Sequence, residues 1–230
     1  SHNIDGTLIL PLFEGTDIVP EAHATGMHVA LKGQINRVLA DGDFKGKAKS
    51  TMSLVGSEGG KAMLVGLGKE DDADVHAYRK AGAAVVAARK KTHGTDLTVR
   101  FAGASIECMG AFAEGMLLRD YSYDEYKMQK EEDKEAERSV RITCDEGQEE
   151  ALQTLVNIHS GVASGVHLSR DLGNCPPNDM YPEAFSDMAW EWAKQYNNVE
   201  VTIINYEHAL KAGMGGLVAV GMGSSRKPCM

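Results

Sequence analysis

The chain has 230 residues, 43% hydrophobic and 25% charged, with 25 glycines, six prolines and four cysteines. That profile excludes a collagen, a low-complexity disordered chain and a disulfide-knotted miniprotein, and leaves room for one large or two small domains. The formal net charge of −9 argues against a duplex-binding role, which needs a basic surface to displace phosphate counterions.

In chain order, Thr7–Phe13 (TLILPLF) reads as a buried strand. Met27–Leu39 follows as a helix on the spacing of Leu31, Ile35, Val38 and Leu39. Two strands, Thr51–Val55 and Ala62–Leu67, flank a glycine-rich turn at 56–60. Asp72–Lys91 reads as a helix, with Asp71, Asp72 and Asp74 at its start and Arg89, Lys90 and Lys91 at its end, the order that suits the helix dipole. Leu97–Phe101 is a strand and Glu107–Leu118 a helix of small and apolar residues. This alternation is the signature of an α/β layer structure. A solvated run of mixed charge, Asp124–Arg141, leads to a short strand, Ser139–Thr143, and the domain boundary is expected near residue 145.

Gln148–Leu172 is then a long helix with Leu152, Leu155, Val156, His159, Val162, Ala163 and Val166 on one face. Pro176 and Pro177 end it. Pro182–Tyr196 is a second helix, Val199–Ile204 a strand, Tyr206–Ala212 a short helix and Gly216–Met222 another strand. No 20-residue apolar stretch that could span a membrane occurs. The scattered Cys108, Cys144, Cys175 and Cys229, with no secretory leader, point to a cytoplasmic chain with reduced thiols.

Local chemistry is sparse. The eight histidines are isolated, without an HExxH, and no two cysteines stand at ligand spacing. His159 lies on the apolar face of the long helix and reads as a packed histidine. Gly56–Lys61 and Gly42–Lys47 lack P-loop spacing, and Gly66-Leu67-Gly68 lacks the third glycine of a dinucleotide fingerprint. Ser224 lacks the following glycine of a nucleophile elbow, and Cys108 and Cys175 have no local histidine. Glu131 and Glu132 read as solvated carboxylates, and Met214 and Met222 as packing residues.

Two strings carry more. One is Leu168-Ser-Arg170-Asp171-Leu172-Gly-Asn174-Cys-Pro176-Pro177-Asn178-Asp179-Met-Tyr-Pro182, and the other runs from Leu210 through Gly215-Gly216 and Gly221-Met-Gly223-Ser224. Together they resemble the leucyl aminopeptidase family of dimetal exopeptidases. Leu64–Lys69, Arg79–Gly82 and Ala113–Lys127 resemble that family's N-terminal segments in the right order.

The resemblance implies a non-catalytic, macro-domain-like α/β domain over residues 1–145, a mixed sheet flanked by helices. Over 146–230 it implies a connector helix and an incomplete α/β peptidase domain whose apolar surface is partly uncovered. Complete members release N-terminal residues from peptides, use two divalent cations (zinc or manganese) and assemble as hexamers. The family's Gly-Lys-Gly-x-Thr-Phe-Asp-x-Gly-Gly and Asn-Thr-Asp-Ala-Glu-Gly-Arg runs, which carry metal ligands and catalytic residues, do not occur in the sequence, which stops at Met230. The expectation is therefore the N-terminal portion of such an enzyme, inactive alone, with no catalytic or metal residue and no cofactor of its own. Arg170, Asp171, Asn174, Pro177, Asn178, Gly221, Gly223 and Ser224 match motif positions and are expected to serve local structure. The expected partners are peptide substrate and further copies of the chain, with no nucleic acid and no membrane. The alternative is a non-catalytic oligomerising, regulatory or nucleotide-binding module.

Overall fold

A run as apolar as TLILPLF suits a strand covered on both faces, and β1 (Thr7–Phe13) is buried from Thr7 to Leu12. In the computed structural model, which describes residues 6–57, 60–89, 93–128 and 138–230, β1 is the middle strand of a five-stranded sheet. β3 (Lys61–Gly68) and β4 (Asp96–Arg100) run parallel to it on either side. β5 (Ser139–Thr143) continues parallel beyond β4, and β2 (Thr51–Val55) closes the other edge antiparallel to β3. The order is β2-β3-β1-β4-β5. Pro11 fits inside this middle strand because the ladder to β4 stops at Ile9, so its missing N–H interrupts nothing on that side.

Strand alternation divides the core in two. Leu8, Leu10 and Leu12 face a cluster completed by Leu31, Ile35 and Leu39, which lie at four-residue spacing on α2 (Val29–Ala40). A four-residue helical turn, α1 (Glu21–Ala24), precedes α2 and was not legible in the periodicity. Ile9 faces the opposite cluster, formed with α3 (Val75–Ala88) and α4 (Ile106–Arg119). Asp74 starts α3 by accepting the Ala77 N–H at 2.8 Å, and Ser105 Oγ accepts the Cys108 N–H at the start of α4. The acids expected at the head of α3 divide: Asp74 caps it, whereas Asp71 and Asp72 belong to a separate 3-10 turn, Glu70–Asp72. α5 (Glu149–Asn174) contributes Leu152 to the same cluster. Of its expected apolar face, Leu152 and Ala163 are buried, whereas Val162 is exposed. The chain divides into two compact units, up to His167 and from Leu168 to Met230.

The second unit holds the end of α5, then α6 (Pro182–Ala193), α7 (Tyr206–Lys211) and α8 (Gly215–Gly221). Two expected strands are corrected here. Val199–Ile204 has no ladder; Ile204 alone exchanges two backbone hydrogen bonds, both with Met230, at 2.6 and 3.0 Å. Gly216–Met222 is instead covered largely by α8, where the Val218 N–H donates to the Met214 carbonyl. A short apolar run between glycines satisfies either period, so the pattern could not decide. Buried side chains are few in this unit, among them Ser186, Ala193 and Ala209, while Phe185, Trp190 and Val220 (90% exposed) stand in solvent. Lys90, Lys91, Glu131, Glu132 and part of the 56–60 turn lie outside the described residues. Among the described residues no helix is long and apolar enough to cross a membrane.

Candidate functional site

Open parallel sheets bind ligands beyond the carboxyl ends of their strands, where neighbouring connections diverge. β1 is such a point here, with β3 on one side and β4 on the other. A cleft of about 610 Å³ opens beyond the ends of β1 and β3, lined in part by Glu14, Gly68, Lys69, Asp72, Asp74 and Lys80. Next to the ends of β1 and β4 lies a cavity of about 30 Å³, bounded by Phe13, Thr16, His23, Tyr78 and Phe101 among others. That is room for one water molecule. His23 is only 1% exposed, and neither ring nitrogen has a hydrogen-bond partner. Burial pushes its pKa down from 6.5 to about 4. The Arg100 backbone works against this shift by favouring the protonated ring, and the Arg100 guanidinium, which donates to the carbonyls of His23 and Thr25, lowers the value by a smaller amount through its charge. Burial likewise drives the Tyr78 phenol up to about 12.

A second polar cluster joins three helices. Arg79 on α3 directs Nε and Nη2, each at 2.8 Å, onto Oε2 of Glu114 on α4. His159 Nδ1 on α5 stands 3.1 Å from the same oxygen, and Arg79 Nη1 donates to His76 Nδ1 at 2.8 Å. The Glu114 side chain is 11% exposed, against 29% for Arg79 and 20% for His159. The helices come this close because of glycine. A Cβ on Gly82 would stand 2.0 Å from the Phe112 carbonyl oxygen, and one on Gly115 1.9 Å from that of Arg79. The His159 ring fills the space beside Gly110. His159 is thus a packed histidine, as its helix face suggested, but one with a carboxylate partner 45 positions away. The sequence reading did not join these three residues.

The motif positions fall in the second unit. Arg170 and Asp171 lie in the last turns of α5, and Asn174 is its final residue. Cys175 N–H donates to the Asp171 carbonyl, and the N–H groups of Asp179 and Met180 both donate to the Pro176 carbonyl, closing a turn around Pro177 and Asn178. Tyr181 then caps α6, with Pro182 in its first turn. Gly221 ends α8, where a Cβ would come within 2.3 Å of the Pro228 ring. Ser224 follows Gly223; its Oγ accepts the Arg226 N–H at 3.1 Å, and the Lys227 ammonium donates to the carbonyls of Met222 and Ser224. The Arg226 guanidinium lies 3.5 Å from the centre of the Tyr181 ring. The Arg170–Asn178 positions therefore span the end of α5 and the turn that leads into α6, and Gly221–Ser224 the end of α8 and the turn after it. Among the described residues no group of three or more His, Cys, Asp and Glu side chains stands close enough to hold a metal ion.

Comparison with known proteins gives this geometry a family. The N-terminal domain model of the cytosol aminopeptidase family matches residues 9–130, and the catalytic domain model of the same family matches residues 167–230. A probable cytosol aminopeptidase of Rhizobium leguminosarum bv. trifolii is 35% identical over 234 residues, covering 99% of this chain and 46% of its own length. The cytosol aminopeptidase of Pseudomonas aeruginosa is 30% identical over 231 residues, with 96% and 46% covered. The chain thus spans about half the length of these relatives. Among solved structures, a mutant tomato leucine aminopeptidase shares the fold with a TM-score of 0.76 at 24% identity, over 97% of this chain and 46% of that one. The bottromycin maturation enzyme BotP, in complex with Mn, gives 0.71 at 24% identity over 97% and 44%. The chain belongs to the cytosol aminopeptidase family.

Proposed function

We propose that these residues are the N-terminal portion of a metal-dependent aminopeptidase that releases N-terminal residues from peptides. The observation that carries this reading is the succession of family matches, an N-terminal domain over 9–130 followed by a catalytic domain model from 167 onward. In this reading residues 1–145 are a non-catalytic α/β domain, and 146–230 are the connector helix and the opening of the peptidase domain. The whole enzyme acts in the cytoplasm as a homo-oligomer. Arg170, Asp171, Asn174, Pro177, Asn178, Gly221, Gly223 and Ser224 fix turns and touch no substrate.

The complete enzyme would use two divalent cations, zinc or manganese, which together acidify a water and polarise the peptide carbonyl. The described residues offer no cluster of ligands fit to hold such a pair. The 230-residue chain by itself is therefore expected to be inactive. The test is an assay of the purified chain on leucine p-nitroanilide with manganese, cobalt or zinc added in turn. No release of nitroaniline is expected, and metal-dependent turnover by homogeneous chain would overturn the assignment of the chemistry to other residues.

A further inference from the structure

β2 forms one edge of the sheet, and among the described residues β3 is its only strand neighbour. Continued by one residue at each end, its register sets Ser50 opposite Gly66 and Gly56 opposite Gly60. Both pairs are bonded: the Gly66 N–H donates to the Ser50 carbonyl at 2.8 Å, and the Gly56 N–H to the Gly60 carbonyl at 2.7 Å. Bonded residues alternate along an antiparallel ladder, so Met52 and Leu54 also turn their main-chain groups to β3. Thr51, Ser53 and Val55 turn theirs outward, to the free edge. The Ser53 hydroxyl is engaged within the chain, 2.9 Å from His93 Nε2, and does not cap these groups.

Exposed edges are commonly blunted by charge or proline. β5, at the opposite edge, carries Arg141. β2 reads TMSLV and carries neither, and Val55 at its end is 64% exposed. The two faces of β2 also differ. Met52 and Leu54 pack on the α2 side, whereas Thr51 lines a cleft of about 570 Å³ on the α3 side, floored by Ala83, Ala84, Ala87 and Ala88. Val55 lies on the same face as Thr51 by strand alternation.

We propose that β2 pairs with β2 of a second copy of the chain, antiparallel and centred on Ser53, about a twofold axis perpendicular to the sheet. The sequence is self-complementary in this register. Thr51 meets Val55, Met52 meets Leu54 and Ser53 meets itself, so β-branched and apolar residues oppose their own kind. All three outward residues of each strand become bonded pairs, which exchange two hydrogen bonds each. Val55 of the second copy stands opposite Thr51, at the mouth of the alanine-floored cleft. Lys49, Lys80 and Arg119 line the same cleft, so pairing also draws two sets of cations toward the axis. As one surface of the homo-oligomer the contact rests on that reading; because it lies wholly in the first unit, its loss would leave the peptidase assignment standing.

The test combines sedimentation equilibrium with residue-resolved hydrogen exchange on the 230-residue protein. Two five-residue strands make a small contact, so the dimer should be weak, with a dissociation constant on the order of 100 μM. By mass action, exchange of the Thr51, Ser53 and Val55 amides should slow about fourfold between roughly 20 μM and roughly 1 mM protein. The Met52 and Leu54 amides, already bonded to β3, should not change. Val55→Lys, at an exposed position, should weaken association about tenfold and leave the thermal transition of the dilute protein in place; the exchange measurement needs no variant. Because the cations repel, association should strengthen about threefold from about 50 mM to about 500 mM sodium chloride. A mass fixed at 24.8 kDa at every concentration, or protection that spares Thr51, Ser53 and Val55, would overturn the proposal. So would association that weakens with salt, or a dimer undisturbed by Val55→Lys, the result expected if the exposed Phe185 and Trp190 of the second unit held the copies together.

Discussion

Acidification should destabilise the first unit through His23. Its imidazole is buried with both nitrogens unpartnered, and its pKa falls from 6.5 in the unfolded chain to about 4 in the fold. Between those values the unfolded chain holds a proton that the fold rejects, so stability rises with pH. The contribution is fully present above about pH 6.5, erodes as the pH falls, and is gone near pH 4. Two and a half pH units at 1.36 kcal/mol each amount to about 3 kcal/mol. The chain holds other titrating groups, so the measurement is a difference between the protein and His23→Leu. Leucine has similar bulk, no proton to bind and no unpartnered nitrogen, and should match or exceed the parent at pH 7. Hydrogen exchange of the Ile9 and Leu10 amides in β1 reports opening of this unit. The gap between the two proteins should widen by about 3 kcal/mol from pH 7 to pH 4. Parallel profiles, or a His23 ring resonance titrating near 6.5, would refute the reasoning.

The three-helix cluster predicts a different loss. Glu114→Gln leaves Arg79 and His159 facing a neutral amide in a partly buried site, and should cost about 2 kcal/mol, a drop in melting temperature of roughly 6 °C by calorimetry. His159→Phe removes one of the two partners and should cost less, since the Arg79 fork survives; a larger loss than Glu114→Gln would show that ring packing, not the carboxylate, holds α5. Gly82→Ala and Gly115→Ala each drive a methyl to about 2 Å from a carbonyl oxygen. Each should cost about 3 kcal/mol or abolish folding. Gly33→Ala, at an exposed position of α2 with nothing within 4 Å, should instead raise stability by about 1 kcal/mol. A Gly33 variant as unstable as the other two would show that the cost lies in helix glycine generally and not in close approach.

The first unit was legible because its sequence patterns are unambiguous where burial is two-sided. TLILPLF is a seven-residue apolar run with an internal proline and the turn residues Glu14-Gly15-Thr16 after it, which favours a buried strand over a helix, and the four-residue spacing of Leu31, Ile35 and Leu39 fits one helix face. The order of the strands was not legible, since parallel pairing joins residues far apart in the chain, as Thr7 does with Leu97. The misreadings gather in the second unit, where burial is slight. Val199–Ile204 has strand composition, but a strand exists only with neighbours, and among the described residues only Ile204 has found one, in Met230. Leu217–Val220 is four apolar residues between glycines, too short for either period to show.

The chemical cluster was hidden for another reason. Arg79, Glu114 and His159 each look ordinary on their own helix, and the separations between them exceed any spacing rule. A signal for them was nonetheless present, in Gly82, Gly110 and Gly115. A glycine inside a helix costs about 1 kcal/mol against alanine, so three of them in α3 and α4 need a reason beyond the helix itself. Close crossing is that reason, and it carries a corollary. When two backbones approach to carbonyl contact, a charged side chain within one turn of the crossing loses its water and must find an opposite charge. Arg79 lies three residues before Gly82, and Glu114 directly before Gly115. Gly110 then opens the face of α4 on which the His159 ring rests, within reach of the same carboxylate. The glycines set the distance between the helices, and the distance makes the ion cluster obligatory. On this logic Gly115→Ala should damage the Arg79–Glu114 pair as well as the packing, so adding Glu114→Gln to it should cost less than the sum of the two single losses. Full additivity in a double-mutant cycle would separate the crossing from the cluster and remove the link between them.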